Sequence, residues 1–251
     1  MSYTIKSSKQ LIMKLAVMQP YFFPYAGYFS LIHSVEHFMF FDDVQYIKKS
    51  WMSRNRLLNI EKEEPYFIRP TLIKPDYKAL LTSVKLDSND KWKLKLLQQL
   101  KGYKNKAPFY YEVLSLLESI FIEDFEYLNA FNIKSTIEIC KVLGFKTKFD
   151  KYTDYNFWFE GKPGESDWGR VIAKELNASH YINSPGGESF ITAEPFSKIN
   201  MKLGFIQPEL KAYNQMNDSF IPGLSIIDML LFNGFERTAA LISEYDIKWK
   251  N

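Results

Sequence analysis

The sequence contains one cysteine, Cys140, and three histidines, His33, His37 and His180, in 251 residues. A single cysteine excludes an internal disulfide and any cysteine-built zinc or iron–sulfur centre. It lies in the apolar helical run 139–143, where a small thiol is ordinarily buried and inert. The histidines are too few and too scattered to predict a metal site. Glycine and proline number only 11 each, which excludes collagen-like and low-complexity chains. No stretch approaches the ~20 uninterrupted apolar residues of a membrane span. Residues 1–12, MSYTIKSSKQLI, carry no apolar run ahead of Lys14 and read as a loose extension, not a secretory leader. A cytoplasmic, reducing setting is expected from these absences. The phosphate-loop, nucleophile-elbow, zincin and dinucleotide-binding signatures are all missing.

What the sequence does have is aromatic residues: 21 Phe, 16 Tyr and 5 Trp, 17% of the chain. The phenylalanines fall mostly in apolar runs, as Phe38, Phe40, Phe41, Phe121 and Phe125 do, and read as core. The tyrosines and Trp51 gather instead around polar segments. The net charge of +3 conceals an asymmetry. Residues 1–110 hold 18 Lys/Arg against 9 Asp/Glu, and residues 111–251 hold 14 against 20. A basic half suits a phosphate-bearing ligand. Nucleic acid is not expected, because the acidic half offsets it and no arginine-rich stripe exists. The lysines at 91, 93, 95, 101, 104 and 106 read as a solvated face.

The pattern along the chain predicts an α/β fold. Residues 14–18 form an apolar run of strand length, stopped by Pro20; a helix follows at about 26–34 and a second strand at 37–41. Residues 56–60 and 66–72 predict a β-hairpin around a charged turn. Helical periodicity occupies about 91–143 as three helices, the last ending at Gly144. Strands at 146–150 and 179–183 flank a helix at 165–176 and restore the βαβ rhythm. Two helices close the chain at 225–232 and 236–245, broken at Asn233-Gly234. The expectation is one α/β domain over 13–251: a parallel, Rossmann-like sheet with an inserted helical region and a β-hairpin. Ligands bind such sheets at the carboxyl ends of their strands.

Three blocks carry candidate chemistry. The first, MQPYFFPYAGY at 18–28, places Gln19, Tyr21, Tyr25 and Tyr28 directly after a strand. Tyr and Gln supply directional hydrogen bonds on a proline-stiffened loop; the alternative is an aromatic cap on the core. The second runs from Asp42 and Asp43 through Gln45, Lys48, Trp51, Arg54 and Asn55 to Arg56. Adjacent acids leaving a buried strand suit a general base. Two arginines at alternate positions suit a phosphate, and Trp51 offers a stacking surface. The alternative is a surface hairpin with ordinary ion pairs. In the third, Ser225 follows Pro222-Gly223 and precedes an apolar helix, with Asp228 three residues on, a capping-box arrangement. Ser184, Gly187 and Gln215 complete the set of candidate binding residues.

At these blocks the chain resembles the WbqC-like family. The matching elements are MKLAVMQPYFFPYAGYFSLI, FDDVQYIKKSWMSRNR, SHYINSPGG and FIPGLSIIDMLLFNG, spread over residues 13 to about 234. The resemblance implies a setting among surface-polysaccharide (O-antigen) genes that make amino sugars. It implies an enzyme that tailors a nucleotide-linked amino sugar, on a UDP or dTDP carrier, by placing an acyl or aminoacyl group such as glycine on the sugar amine. On that reading Asp42 or Asp43 is the base or amine anchor. Arg54, Arg56 and Lys48 hold the diphosphate, Trp51 or Tyr21 the base, and Gln19, Tyr25, Tyr28 and Asn55 the sugar. ATP or an activated amino acid is the donor to expect. The layout of the first block is also similar to nucleotidyltransferases with a HIGH signature, but Tyr28 follows Gly27 where that pattern places histidine. Nucleotidyl transfer is therefore the second expectation, and a non-catalytic sugar-nucleotide binding protein the third.

Overall fold

The computed structural model describes residues 12–250 apart from Glu63, Tyr77, Asp90, Lys162, Glu165, Ser166, Asn217 and Asp218. The expected N-terminal extension lies outside the described residues except for its last position. The central sheet has six strands. They are β1 (Lys14–Met18), β2 (His37–Phe40), β5 (Lys148–Lys151), β6 (His180–Asn183), β7 (Lys202–Pro208) and β8 (Tyr245–Lys250). Their order is β5-β2-β1-β6-β7-β8; the first five run parallel and β8 pairs antiparallel with β7. A separate antiparallel hairpin joins β3 (Asn55–Asn59) to β4 (Glu64–Ile68). The helices are α1 (Ala26–His33), α2 (Lys91–Leu100), α3 (Tyr110–Phe121), α4 (Leu128–Val142), α5 (Asp167–Glu175), α6 (Glu194–Ser197) and α7 (Ile226–Ile242). This is a Rossmann-like α/β fold, with the hairpin and α2–α4 between β2 and β5.

Both faces of the sheet are covered, which is why β2 reads HFMF and is buried throughout. Side chains alternate between two cores. Ala16, Phe38, Phe40, Ile182 and Ile206 face α1, α4 and α7, together with the hairpin residues Leu57 and Leu58. Leu15, Val17, Met39, Leu203 and Phe205 face the opposite way, toward Ile172 of α5 and Phe196 of α6. Much of the phenylalanine content is core: Phe22, Phe121 and Phe131 pack edge-to-face around Trp92, and Phe23 packs edge-to-face on all three.

The structure departs from the sequence reading at three elements. β7 has no predicted counterpart; Gly204 interrupts its apolar run, and a Cβ there would lie 2.7–2.9 Å from Ile247 and Trp249 of β8. Glycine is needed because the Ile247 and Trp249 side chains of the paired strand β8 fill the space a side chain at 204 would take. The last predicted helix ends at Ile242, and Tyr245 opens β8. Lys93 is 6% exposed, and its ammonium donates to the Phe121 carbonyl at 3.1 Å, so it is not part of the solvated lysine face. The predicted break in the last helices is present as a kink at Gly234, whose φ of 66° and ψ of −173° leave helical space. Cys140 is 1% exposed, and burial pushes its thiol up.

Candidate functional site

The strand order reverses at β1: the chain passes first to β2 on one side and later to β6 on the other. A cleft of about 420 Å³ opens at this switch point, at the carboxyl ends of the strands. It is lined by Gln19 after β1, Phe41 after β2, Trp168 and Gly169 of α5, and Asn183 and Ser184 at the end of β6. Gly187 lies at the cleft floor, where a Cβ would come 3.1 Å from the Asn183 side chain. Of the residues predicted from sequence, this cleft gathers Gln19, Ser184 and Gly187.

A second pocket, of about 320 Å³, gathers Tyr21, Tyr25, Trp51, Asn55 and Arg56 beside Gly223. The two recesses share the loop after β1. Within that loop the Tyr28 hydroxyl donates to the Gln19 carbonyl at 2.9 Å, and the Tyr21 and Tyr28 rings pack at 5.5 Å. Tyr28 is 3% exposed, so it braces the loop and does not line either recess. Burial raises the Tyr21 and Tyr25 phenols, keeping both protonated as donors. The Tyr25 ring lies flat over the first turn of α1; a Cβ on Gly27 would meet it at 2.6 Å.

The loop holds this shape against backbone strain. Phe23 adopts φ 41°, a conformation costly for a bulky residue. Its carbonyl accepts from Asn55 Nδ2 at 2.7 Å and from Ser225 Oγ at 2.8 Å, and Asn55 also donates to the Phe22 carbonyl. Ser225 is thus a buried clamp, and Asn55, which lines the pocket, spends its amide N–H groups on the same backbone. Ser225 does cap α7, accepting from the Ile227 N–H at 3.3 Å. Asp228 does not complete the capping box: its carboxylate turns inward and accepts from Tyr103, Tyr213 and Gln215 at 2.9, 2.7 and 3.1 Å. Burial raises its pKa, and the hydrogen bonds oppose that shift only in part. Gln215, 2% exposed, also ties the Ile221 backbone at both amide ends. The hub therefore anchors the segment that carries Gly223 to the pocket wall.

Arg56 is held inside the pocket. Its guanidinium lies 5.7 Å from the Trp51 ring, Nη2 donates to the Gly223 carbonyl at 3.2 Å, and its buried Nε has no partner among the described residues. Arg54 lies 4.3 Å over Phe67, the residue paired with Arg56 across the hairpin, so both arginines share one face. The Arg54 Nε is likewise buried without a partner.

The two adjacent acids have different surroundings. Asp42 is 1% exposed and accepts from the Thr153 N–H at 3.1 Å and the Thr153 hydroxyl at 2.8 Å. It locks the end of β2 to the turn after β5. Asp43 is exposed and acts electrostatically on Tyr152, whose ring is 4.9 Å from Phe41 at the cleft. Gln45 and Lys48 are exposed and line neither recess. The cleft residues Phe41, Trp168, Gly169 and Asn183 escaped the sequence reading. Gly169, a lone glycine early in a helix beside a tryptophan, was the available signal. None of the three histidines lines either recess. Among the described residues no group of three or more His, Cys, Asp or Glu side chains could hold a metal, and no helix is long and apolar enough to cross a membrane.

Comparison with known proteins adds one decisive observation: the model of the WbqC-like protein family matches residues 19–240. The chain belongs to that family. The match begins at Gln19 in the switch-point cleft and runs through both recesses to α7. A relative is the uncharacterized protein Rv1507c of Mycobacterium tuberculosis, 25% identical over 225 residues, covering 89% of this chain and 95% of that protein. No solved structure matches the chain.

Proposed function

We propose that the protein acts on a nucleotide-linked amino sugar, carried on UDP or dTDP, and transfers an acyl or aminoacyl group such as glycyl to the sugar amine in surface-polysaccharide assembly. The observation that carries this reading is the seat of Arg56. A guanidinium with an unpaired, buried N–H stands beside the Trp51 ring, in a pocket with two tyrosine donors. An orphaned arginine N–H is a seat for an anion, and a fork-shaped donor fits a diphosphate oxygen. The indole face provides a stacking surface for the base. The polysaccharide setting and the acyl chemistry come from the family resemblance.

Acyl transfer needs the sugar amine as a free base, so a proton acceptor must stand near it. Asp43 is the candidate, because its carboxylate is solvent-exposed while Asp42 is engaged by Thr153. The amine nitrogen attacks the donor's carbonyl, its proton passes to the carboxylate, and the donor's leaving group departs. The donor is an activated amino acid, or glycine activated with ATP.

The test is a thermal-shift titration of the full chain with UDP- and dTDP-amino sugars, followed by mass spectrometry after glycine and ATP are added. The expected result is ligand-dependent stabilisation and a sugar nucleotide heavier by one glycyl unit. Stabilisation with no product on any acyl donor would leave a binding protein in place of a transferase. Pyrophosphate release from a nucleoside triphosphate would favour nucleotidyl transfer.

A further inference from the structure

Among the described residues no Asp, Glu, Lys, Arg or His lines the switch-point cleft; its walls are aromatic rings, amides and hydroxyls. A charged group brought there from water would lose hydration without gaining a counter-charge. The polar groups present are nevertheless arranged with care. Tyr181 is 3% exposed, its ring stacked on Phe196 at 5.5 Å. Its hydroxyl end crosses α5 at Gly169, where a Cβ would stand 2.3–2.6 Å from Tyr181 Cζ, Oη and Cε1. Any side chain at 169 would push the phenol away from the cleft.

The Tyr181 oxygen accepts from Asn183 Nδ2 at 3.1 Å, and Asn183 Oδ1 accepts from the Ser184 N–H at 2.7 Å. Both ends of the Asn183 amide are engaged, so the Tyr181 oxygen already has its donor. Its own O–H has no acceptor among the described residues, on a phenol more than nine-tenths buried. The Gln19 side chain, on the facing strand end, also has no protein partner among the described residues. Phe41, Trp168 and Phe190 supply ring faces around these donors.

We propose that this cleft is a glycosyl subsite: it takes a hydroxyl-bearing sugar ring whose amine is neutral, as the free base that reacts or as its acyl amide, with the Tyr181 hydroxyl donating to a ring substituent, Gln19 completing the polar contacts and Ser184 Oγ, which donates to Asn183 Oδ1 at 3.3 Å, left as an acceptor. The C–H face of the ring lies on the aromatic walls, while few, well-placed polar groups set its orientation. The assignment rests on the nucleotide-sugar reading and divides the substrate, with diphosphate and base at Arg56 and Trp51 and sugar at the switch point. Gly169 is then a specificity residue, because its missing side chain admits Tyr181.

Calorimetric titration of the full chain with UDP, UDP-N-acetylglucosamine, dTDP-glucose and methyl α-glucoside tests the assignment. The wild type should bind a sugar nucleotide about five- to tenfold more tightly than UDP, the increment expected of a well-made neutral hydrogen bond. Tyr181→Phe keeps the stack on Phe196 and should erase that increment while leaving UDP affinity unchanged. Gln19→Ala should reduce the increment by a smaller factor, and decides the matter should Tyr181→Phe lose its cooperative melt. An increment unchanged in both variants overturns the subsite. If UDP binds and the sugar adds nothing, the subsite falls and the nucleotide reading stands. If UDP and both sugar nucleotides fail while methyl α-glucoside binds and weakens in Tyr181→Phe, the subsite stands and the nucleotide reading falls. No binding by any of the four probes overturns both.

Discussion

The Trp51 pocket and the switch-point cleft lie on either side of one loop and are built in opposite ways. Around the pocket, buried polar side chains other than Arg56, whose Nε is unpartnered, are engaged by the protein itself: Asn55 and Ser225 on the Phe23 carbonyl, Gln215 on the Ile221 backbone, and Asp228 on two phenols. Around the cleft, strand ends supply the framework and leave the Tyr181 O–H and the Gln19 amide without partners among the described residues. The pocket is clamped from behind, and the cleft is shaped by the sheet. A polar residue near a site therefore belongs to the site only if its hydrogen-bonding groups remain available.

Asp228 gives the largest test of that contrast. Asp228→Ala leaves the Tyr103 and Tyr213 hydroxyls without their acceptor, while Gln215 keeps the Ile221 carbonyl; each lost partner costs about 1–3 kcal/mol. Urea denaturation should show a loss of about 3 kcal/mol or more. A change below about 1 kcal/mol would show that the hub is not holding the 209–224 segment. Asn55→Ala should follow at about 2 kcal/mol, because it frees the strained Phe23 carbonyl. The same measurement on Tyr181→Phe, on the cleft side, should show less than either.

Trp51→Ala should reverse the pattern. Its ring is 43% exposed, so stability should hardly move, while affinity for UDP should fall about tenfold if a base stacks there. An unchanged UDP affinity would move the base elsewhere.

The smallest effect expected is on pH dependence, where two carboxylates oppose each other. Burial alone would raise Asp150, but Tyr155, Lys148 and His37 all hydrogen-bond to it, and the net shift is downward. A lowered folded-state value means stability present above the ordinary carboxylate range and lost as pH falls through it. Asp228, raised by burial, contributes stability that is present below that range and lost as pH rises. Asp150→Asn should therefore flatten the acid limb of the stability curve, and Asp228→Asn should flatten the loss on the rising side. Parallel limbs in both variants would refute the opposition. The phenol of Tyr155, pushed up to about 12 by its bond to Asp150, should titrate late in an absorbance scan and earlier in Asp150→Asn.

The elements most legible in the sequence were those whose local chemistry admits one outcome. Lys14–Met18 and His37–Phe40 are short apolar runs ended by Pro20 and by acids, and they form the parallel core as expected. Gly144, at φ 75°, ends α4 where its freedom is needed. β7 and β8 were not legible because each depends on the other: Gly204 weakens β7 in isolation, and only the Ile247 and Trp249 side chains of the paired β8 explain the glycine. Among candidate site residues, sequence alone marked the loops that line the two recesses but ranked the buried Tyr28, Asp42 and Ser225 alongside Gln19 and Arg56. Residue type and spacing determined the strand ends, the helix stops and the family blocks. Whether a given polar atom meets a carbonyl, a carboxylate or open space depends on contacts more than a hundred residues apart, such as Asp42 with Thr153 or Ser225 with Phe23. Local sequence carries no record of such contacts, and tertiary packing alone decided them.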